Sequence, residues 1–321
     1  MVITNQTKKN LVVLGSINAD HVIQVPNFPR AGETLFGENY RIAYGGKGAN
    51  QAVAVARSVD KNQIQPRFIG CIGQDPIGQE MCQAFTKDGI DTSYIFVEPN
   101  QTTGIAMIQV SQSGENSIVI SAGANGDLTP KKVEQATDLL CQADWLLIQL
   151  ETPLNSLIHA SKIAKKAGAK IALNPAPAQK LPPELLSLID LITPNETETE
   201  LLTQIKVCDY TSACQAANIF HQQGIPQVII TLGAKGVFFS QQQGEQIYQQ
   251  QFDGFKVIAK DTTAAGDTFN GALLSQLLEQ DDWQKAIRFA QAAAAISVTR
   301  HQAQPSIPQR EEIFAFLAQQ D

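Results

Sequence analysis

Hydrophobic residues in this chain cluster in two rhythms. Compact apolar runs at Leu11 to Gly15, Arg67 to Ile72, Asp144 to Leu150, Lys170 to Asn174, Leu188 to Thr193 and Gln227 to Leu232 predict buried strands. Between most of them, three- and four-residue spacings predict helices over 48–59, 77–87, 130–141 and 153–167. Such alternation implies βαβ crossovers and an α/β fold with a mainly parallel sheet covered on both faces. Near the C-terminus, Phe269, Leu273, Leu274, Leu277 and Leu278 predict one buried face of a helix that opens close to Asp267. Two segments break the rhythm. His21 to Ala43 and Ser93 to Ile120 read as short strands with turns and no helix, either as a small antiparallel sheet set over the main one or as two separate hairpin excursions. The glutamine-rich stretch Gln241 to Gln251, with Gly244 inside it, predicts a surface hairpin.

The chain has 321 residues and 43% hydrophobic content, enough for a large core in one α/β domain or a domain with an appendage. A net charge of −7 leaves no basic surface for nucleic acid or an anionic membrane, so small anions would need local positive sites. The cysteines at 71, 82, 141, 208 and 214 show no CxxC spacing and are odd in number, which points to reduced thiols in a cytoplasmic protein. The polar run Thr4 to Asn10 leads directly into Leu11 to Leu14 and so resembles no secretory signal. The longest small-apolar stretch, Ala292 to Val298, is far too short to cross a bilayer.

Two glycine-containing turns carry candidate chemistry. In Asp261-Thr262-Thr263-Ala264-Ala265-Gly266-Asp267-Thr268-Phe269-Asn270-Gly271, small residues open a helix with a carboxylate in its first turn. The unpaired N–H groups and the helix dipole make that end a site for phosphate oxygens, and Asp267 stands beside it as a base. An alternative role is purely local, with Thr262 or Thr263 capping the helix and Asp267 favouring its positive end. The second turn, Tyr44-Gly45-Gly46-Lys47-Gly48-Ala49-Asn50, precedes the helix beginning near Gln51. Its paired glycines allow close backbone approach, and Lys47 and Asn50 offer donors to hydroxyls or phosphate. It has neither Walker A nor dinucleotide-fingerprint spacing, and by itself it also fits a plain strand-to-helix turn.

Taken together, the two turns resemble the N- and C-terminal signatures of the ribokinase-like (PfkB) carbohydrate kinase family. The resemblance runs from Gly15-Ser16-Ile17-Asn18-Ala19-Asp20 to Ala303-Gln304-Pro305-Ser306. It implies a three-layer α/β/α fold with a mainly parallel central sheet and a small β lid. The body would comprise residues 11–20, 44–92 and 121–321, and the lid 21–43 and 93–120. The implied activity is ATP-dependent phosphorylation of D-ribose at its 5-hydroxyl. Asp267 would be the base, beside an anion site of Ala264, Ala265 and Gly266. Asn18, Asp20, Gly46, Lys47, Gly48, Ala49, Asn50 and Glu151 would hold the sugar. ATP would meet Asn195, Thr231, Leu232, Gly233, Ala234, Lys235, Gly236, Gly266, Asp267 and Gln291. Glu198 would organise Mg²⁺ through water, and K⁺ would sit among Asp261, Thr263, Ser297, Arg300, Gln302 and Ser306, several of them through backbone carbonyls. A homodimer formed through the lid is also implied.

Ala264 replaces a residue that is often Gly in the family, so the turn should use backbone angles open to an L-residue. Gln291 and Gln302 are further positions where the pattern is loose. Rival readings are a sibling kinase for deoxyribose, fructose, a keto-sugar acid or a nucleoside, and a non-catalytic sugar-binding regulator on the same fold. A nicotinamide oxidoreductase is a third, and it lacks the glycine fingerprint.

Overall fold

The computed structural model describes residues 8–320, so residues 4–7 of the polar N-terminal run lie outside it. From the N-terminus come β1 (Lys9–Leu14), β2 (Asn18–Val25), β3 (Glu38–Gly45), α1 (Lys47–Ser58), β4 (Ile64–Gly73) and α2 (Pro76–Asp88). Next are β5 (Asp91–Glu98), β6 (Gly104–Ser111), β7 (Asn116–Ser121), α3 (Pro130–Gln135), α4 (Thr137–Leu140) and β8 (Trp145–Ile148). The middle of the chain forms α5 (Leu154–Lys166), β9 (Lys170–Leu173), α6 (Pro183–Leu186), β10 (Leu191–Ile192), α7 (Glu196–Thr203) and α8 (Tyr210–Gln222). It ends with β11 (Gln227–Thr231), β12 (Val237–Gln243), β13 (Gln246–Phe252), α9 (Ala265–Gln280), α10 (Trp283–Val298) and α11 (Arg310–Leu317).

A nine-stranded sheet runs β13-β12-β11-β10-β9-β8-β1-β4-β5. Every pairing from β11 to β5 is parallel, and β12 and β13 add an antiparallel hairpin at one edge. Strand periodicity divides the core: β1 sends Leu11 and Val13 to one face and Val12 and Leu14 to the other. The first face packs under α1, α2, α9 and α10, and the second under α3 to α8. Both faces are thus covered, as the continuous apolar runs predict.

Several boundaries differ from the sequence reading. The helix expected over 130–141 breaks at Ala136, where the Thr137 hydroxyl donates to the Glu134 carbonyl instead of leaving the helical ladder intact. The strand expected over 188–193 shrinks to Leu191–Ile192, because Leu188 and Ile189 close the turn that ends α6. Helix α9 is buried on all sides over residues 267–278 rather than along one face, since it lies between α1 and α10.

The second sheet has the order β3-β2-β6-β7. It is mixed rather than antiparallel: β2 and β6 both leave the same end of the large sheet and pair in parallel. Residues 93–98, expected in this sheet, belong instead to β5 at the edge of the large one, where Tyr94 and Phe96 pack against the core. Conversely, residues 18–20 and 44–45, expected in the body, already belong to β2 and β3.

Helices α1 and α9 cross closely at Gly271. A Cβ there would lie 2.5 Å from the Ala54 Cβ and 2.7 Å from the Val55 nitrogen. Gly271→Ala should therefore lower stability by about 1–3 kcal/mol through overpacking, read from the urea unfolding midpoint. A loss below about 0.5 kcal/mol, the range of an inert surface change, would show that the two helices part freely.

Candidate active site

The parallel strands end on one side of the molecule, and the chain departs from β1 towards β4 on one hand and is flanked by β8 on the other. Ligands of open α/β sheets gather beyond such a switch point. Ser16 follows β1, Gln149 and Glu151 follow β8, Asn174 follows β9, and Thr193 follows β10.

Asp267, in the first turn of α9, is 7% exposed and reaches across to α1. Its Oδ2 accepts from Asn50 Nδ2 at 3.0 Å, and its Oδ1 from Gln51 Nε2 at 2.9 Å. The two glycine-containing turns therefore open onto one site. Glu151 completes the floor: its Oε2 accepts from the Ser16 hydroxyl at 2.5 Å and the Lys47 backbone N–H at 3.0 Å. Asn18 Oδ1 accepts from Asn125 Nδ2 at 2.8 Å, and Asn125 also holds both the N–H and the carbonyl of Ile17. That grip shapes the bend by which β1 passes into β2.

Close packing explains the glycines. Gly46 has φ 88°, and a Cβ there would stand 2.8 Å from the Asn18 nitrogen. At Gly45 it would meet the Asp20 carboxylate at 2.1 Å. Asp20 is thereby brought from the small sheet into the same electrostatic neighbourhood as Glu151, Asp267 and Lys47.

Burial pushes Asp20 up to about 7, with the charges of Glu151 and Asp267 adding to the effect and Lys47 opposing it. Burial also raises Asp267, against the pull of Lys47 and of the Gln51 and Asn50 donors. For Lys47 burial acts downward, yet the carboxylates of Asp267, Glu151, Glu198 and Asp20 outweigh it and hold the ammonium charged. One cation thus serves several acids.

The start of α9 has no side-chain cap, contrary to the alternative in which Thr262 or Thr263 supplies one. Ala265 N–H bonds the Thr262 carbonyl at 3.2 Å, so Gly266 and Asp267 contribute the first-turn amides left to face a ligand. A Cβ placed on Gly266 would meet nothing within 4 Å, so space lies open in front of this turn. Ala264 adopts φ 60°, ψ 11°, which corrects the expectation of ordinary L-residue angles: the turn keeps the left-handed geometry that favours glycine.

On the neighbouring rim, Asn195 bridges in parallel to Thr231. Asn195 and Glu198 form a reciprocal capping box at the start of α7, with bonds of 2.8 and 2.9 Å. The Gly233-Ala234-Lys235-Gly236 turn closes through Leu232 N–H to the Gly236 carbonyl, and Gly236, at φ 99°, packs on the Phe252 carbonyl and Gly254. Gln291 donates from Nε2 to the carbonyls of Phe252 and Asp253, which brings it to the same rim. Lys235 leans towards Glu196 at 3.8 Å.

Comparison with known proteins decides the lineage. Residues 8–310 match the pfkB family of carbohydrate kinases. The chain belongs to that family. It is 57% identical over 310 residues to a ribokinase of Haemophilus influenzae, covering 97% of this chain and 99% of the relative. A ribokinase of Staphylococcus aureus is 45% identical over 94% of this chain and 98% of its own length. Among solved structures, Arabidopsis thaliana ribokinase complexed with ribose and ATP superposes with a TM-score of 0.88 at 33% identity, covering 97% of this chain and 99% of that one.

In this pfkB-family chain, the residues expected around a monovalent cation lie in the loop before α9, in the last turn of α10 and in the segment that follows it, through Ser306. Asp261 accepts from Thr263 N–H and hydroxyl and from Gln302 N–H, and these bonds keep its carboxyl below the usual range despite burial. Gln302 sits at φ 71°. The hydroxyls of Ser297 and Ser306 donate to the carbonyls of Ala294 and Ala303, and the Arg300 guanidinium pairs with Glu312. Side chains at those three positions point to other partners, so any cation there would meet their backbone carbonyls.

Sequence reasoning missed Ser16, Gln51, Asn125, Gln149, Asn174, Thr193 and Asn270, all of which bond within or beside the site. For Ser16, Gln149, Asn174 and Thr193 the signal was present as a polar residue at the end of an apolar strand run, whereas Gln51, Asn125 and Asn270 lie in helices or a turn and gave no such signal.

The raised Asp20 also predicts a pH response of the ligand-free protein. A carboxyl raised on folding contributes stability that is fully present below about pH 4 and lost as pH rises through about 7. Asp20→Asn should therefore raise the unfolding temperature by at least about 2 °C at pH 8 and leave it nearly unchanged at pH 4.5. Equal effects at both pH values would show that Asp20 titrates normally.

Proposed function

We propose that this chain transfers the γ-phosphoryl group of ATP to the 5-hydroxyl of D-ribose, giving D-ribose 5-phosphate and ADP. The observation that carries the reading is the placement of Asp267, held at 3.0 Å by the sugar-side Asn50 while its own helix presents free amides beside open space. A base next to an anion cradle is what in-line attack of an alcohol on phosphorus requires. The ribokinases of Haemophilus influenzae and Staphylococcus aureus, similar over nearly the full length, support ribose as the acceptor.

In this mechanism Asp20, Asn18 and Lys47 hold the sugar hydroxyls, with Glu151 fixing the Lys47 turn. Asn50 Oδ1 is buried with no partner among the described residues and suits a hydroxyl donor from the sugar. The aligned 5-hydroxyl gives its proton to Asp267 as its oxygen attacks, and the Gly266 and Asp267 amides face the charge gathering on the phosphoryl oxygens. ATP lies along Asn195, Thr231, Leu232 and the 233–236 turn, with its base towards Gln291.

Glu198 suits Mg²⁺ bound through water: its carboxyl is fixed by the capping box, and burial leaves it raised in the free protein. Bound there, the metal would neutralise phosphate charge. The ionised Asp261 and the carbonyls of Ser297, Arg300 and Ser306 suit K⁺, which would set the loop beside α9 without touching the sugar. The segments 21–43 and 99–120 act as a lid that excludes water.

The outer face of that lid favours a homodimer. Tyr40, Ile42, Met107 and Val119 share the face turned away from Asp20 and are exposed there, and β3 and β7 leave open edges, whereas Ile118 and Ile120 lie on the face of Asp20. The free cysteines accord with a reducing, cytoplasmic setting.

A coupled ADP-release assay across ribose, deoxyribose, fructose, keto-sugar acids and nucleosides should rank D-ribose first by kcat/KM. A first rank for another acceptor would assign the chain to a sibling kinase, and ribose binding without turnover would make it a regulator. Asp267→Asn should lower kcat by at least about 10²–10⁴-fold while nucleotide affinity stays within about threefold; near-normal turnover would remove Asp267 from the chemistry. Sedimentation should show a dimer that Val119→Lys converts to monomer, and a monomeric parent would refute the lid interface.

A further inference from the structure

We infer that Gln51 is a positioning residue for Asp267, and that Asn174 and the Thr193 carbonyl determine which way round its side-chain amide stands. The inference rests on the reading of Asp267 as the base. Gln51 is 0% exposed, a costly burial for an amide unless each polar atom is used, and both its nitrogen and its oxygen are bonded.

The chain of bonds has a fixed direction, and its origin is the backbone. Thr193 presents a carbonyl oxygen, which can only accept, and Asn174 donates to it from Nδ2 at 3.1 Å. Asn174 must then turn Oδ1 the other way, where it accepts from Gln51 Nε2 at 3.0 Å. Gln51 therefore shows its NH₂ group to this side of the site. Its second N–H reaches Asp267 Oδ1 at 2.9 Å, and its Oε1 accepts from Gln149 Nε2 at 2.6 Å.

With the amide reversed, Gln51 would set an oxygen against both Asn174 Oδ1 and the Asp267 carboxylate and a nitrogen against another nitrogen. The two oxygen–oxygen mismatches remain even if Gln149 turns as well, so Asp267 meets a donor at Oδ1. Asn50 provides the second donor, at Oδ2. Charge-assisted donors favour the ionised carboxyl and offset the burial that pushes its proton affinity up. The same bonds orient the carboxylate towards the mouth of the site. Nearby, Asn270 performs a related task, accepting from the Thr193 hydroxyl at 2.7 Å while donating to the Gly266 carbonyl at 2.8 Å. Thr193 thus anchors both the base and the turn beside it.

The test compares kcat against pH for the unsubstituted enzyme, Gln51→Met and Asn174→Ala, with the best acceptor of the sugar panel. Gln51→Met should lower kcat at pH 7 by about 10-fold and move its acid limb upward by roughly one pH unit, a tenfold change in proton affinity. Activity should recover towards the parent value at high pH, and KM for ATP should stay within about twofold. Asn174→Ala touches neither Asp267 nor nucleotide. It frees the Gln51 amide to turn, so it should move the limb in the same direction by a smaller amount. Carbon-13 NMR titration of the Asp267 carboxyl in the ligand-free proteins reads the same shift without any turnover. It also separates this inference from the choice of sugar, since a parent that fails to phosphorylate ribose would overturn the substrate alone. An unmoved limb and an unmoved titration in Asn174→Ala, or in both variants, would overturn the role assigned to Gln51 even if kcat fell. Should Gln51→Met not fold, Asn174→Ala decides.

Discussion

The hydrogen bond from Asn50 to Asp267 joins residues 217 positions apart in the chain and holds the two halves of the site in register. Its existence depends on the close crossing of α1 and α9, which only a glycine at 271 permits without displacement. Each helix begins at a glycine-bearing turn, and each turn faces the same space. In the proposed mechanism, a sugar held by one is presented to the base and amides of the other. The sheet beneath, with its strand ends aligned, keeps that juxtaposition from shifting.

Electrostatics imposes a second constraint. Asp20, Glu151 and Asp267 crowd together, with Glu198 further along, and Lys47 is the positive charge they share. Such a cluster is unfavourable in the empty protein, and hydroxyl donors or cations relieve it. The site therefore stores an affinity for donor-rich ligands in its own strain of charge. The small sheet and the body are coupled through the same group, because Asp20 belongs to β2 of the small sheet while Glu151, Asp267 and Lys47 belong to the body.

The sequence showed the large elements and both signature turns clearly, since strand and helix periods and small-residue turns are local properties. It also led to Asp267, Lys47, Asn50 and Glu151, which the fold brings together. Boundaries failed where tertiary contacts overrode local pattern, as when residues 93–98 joined the large sheet through pairing with β4. The angles of Ala264 were misjudged because a side chain of one carbon tolerates the left-handed region well enough for the surrounding turn to impose it. The buried amides Gln51, Gln149 and Asn174 were overlooked for a different reason. Gln149 and Asn174 are single polar residues beside apolar ones and Gln51 is shadowed by Asn50, so their shared purpose appears only when strand ends and a helix converge.

That lining of amides has an outcome for traffic through the site. Carboxamides neither take up nor release protons near neutral pH, so the inner wall behind Asp267 conducts none. In the proposed mechanism, a proton captured by this carboxyl meets only carboxamides on that side and departs by the entrance used by the substrates. Resetting the base is then tied to the moment when product leaves and the entrance admits water again, so that each cycle would end with rehydration.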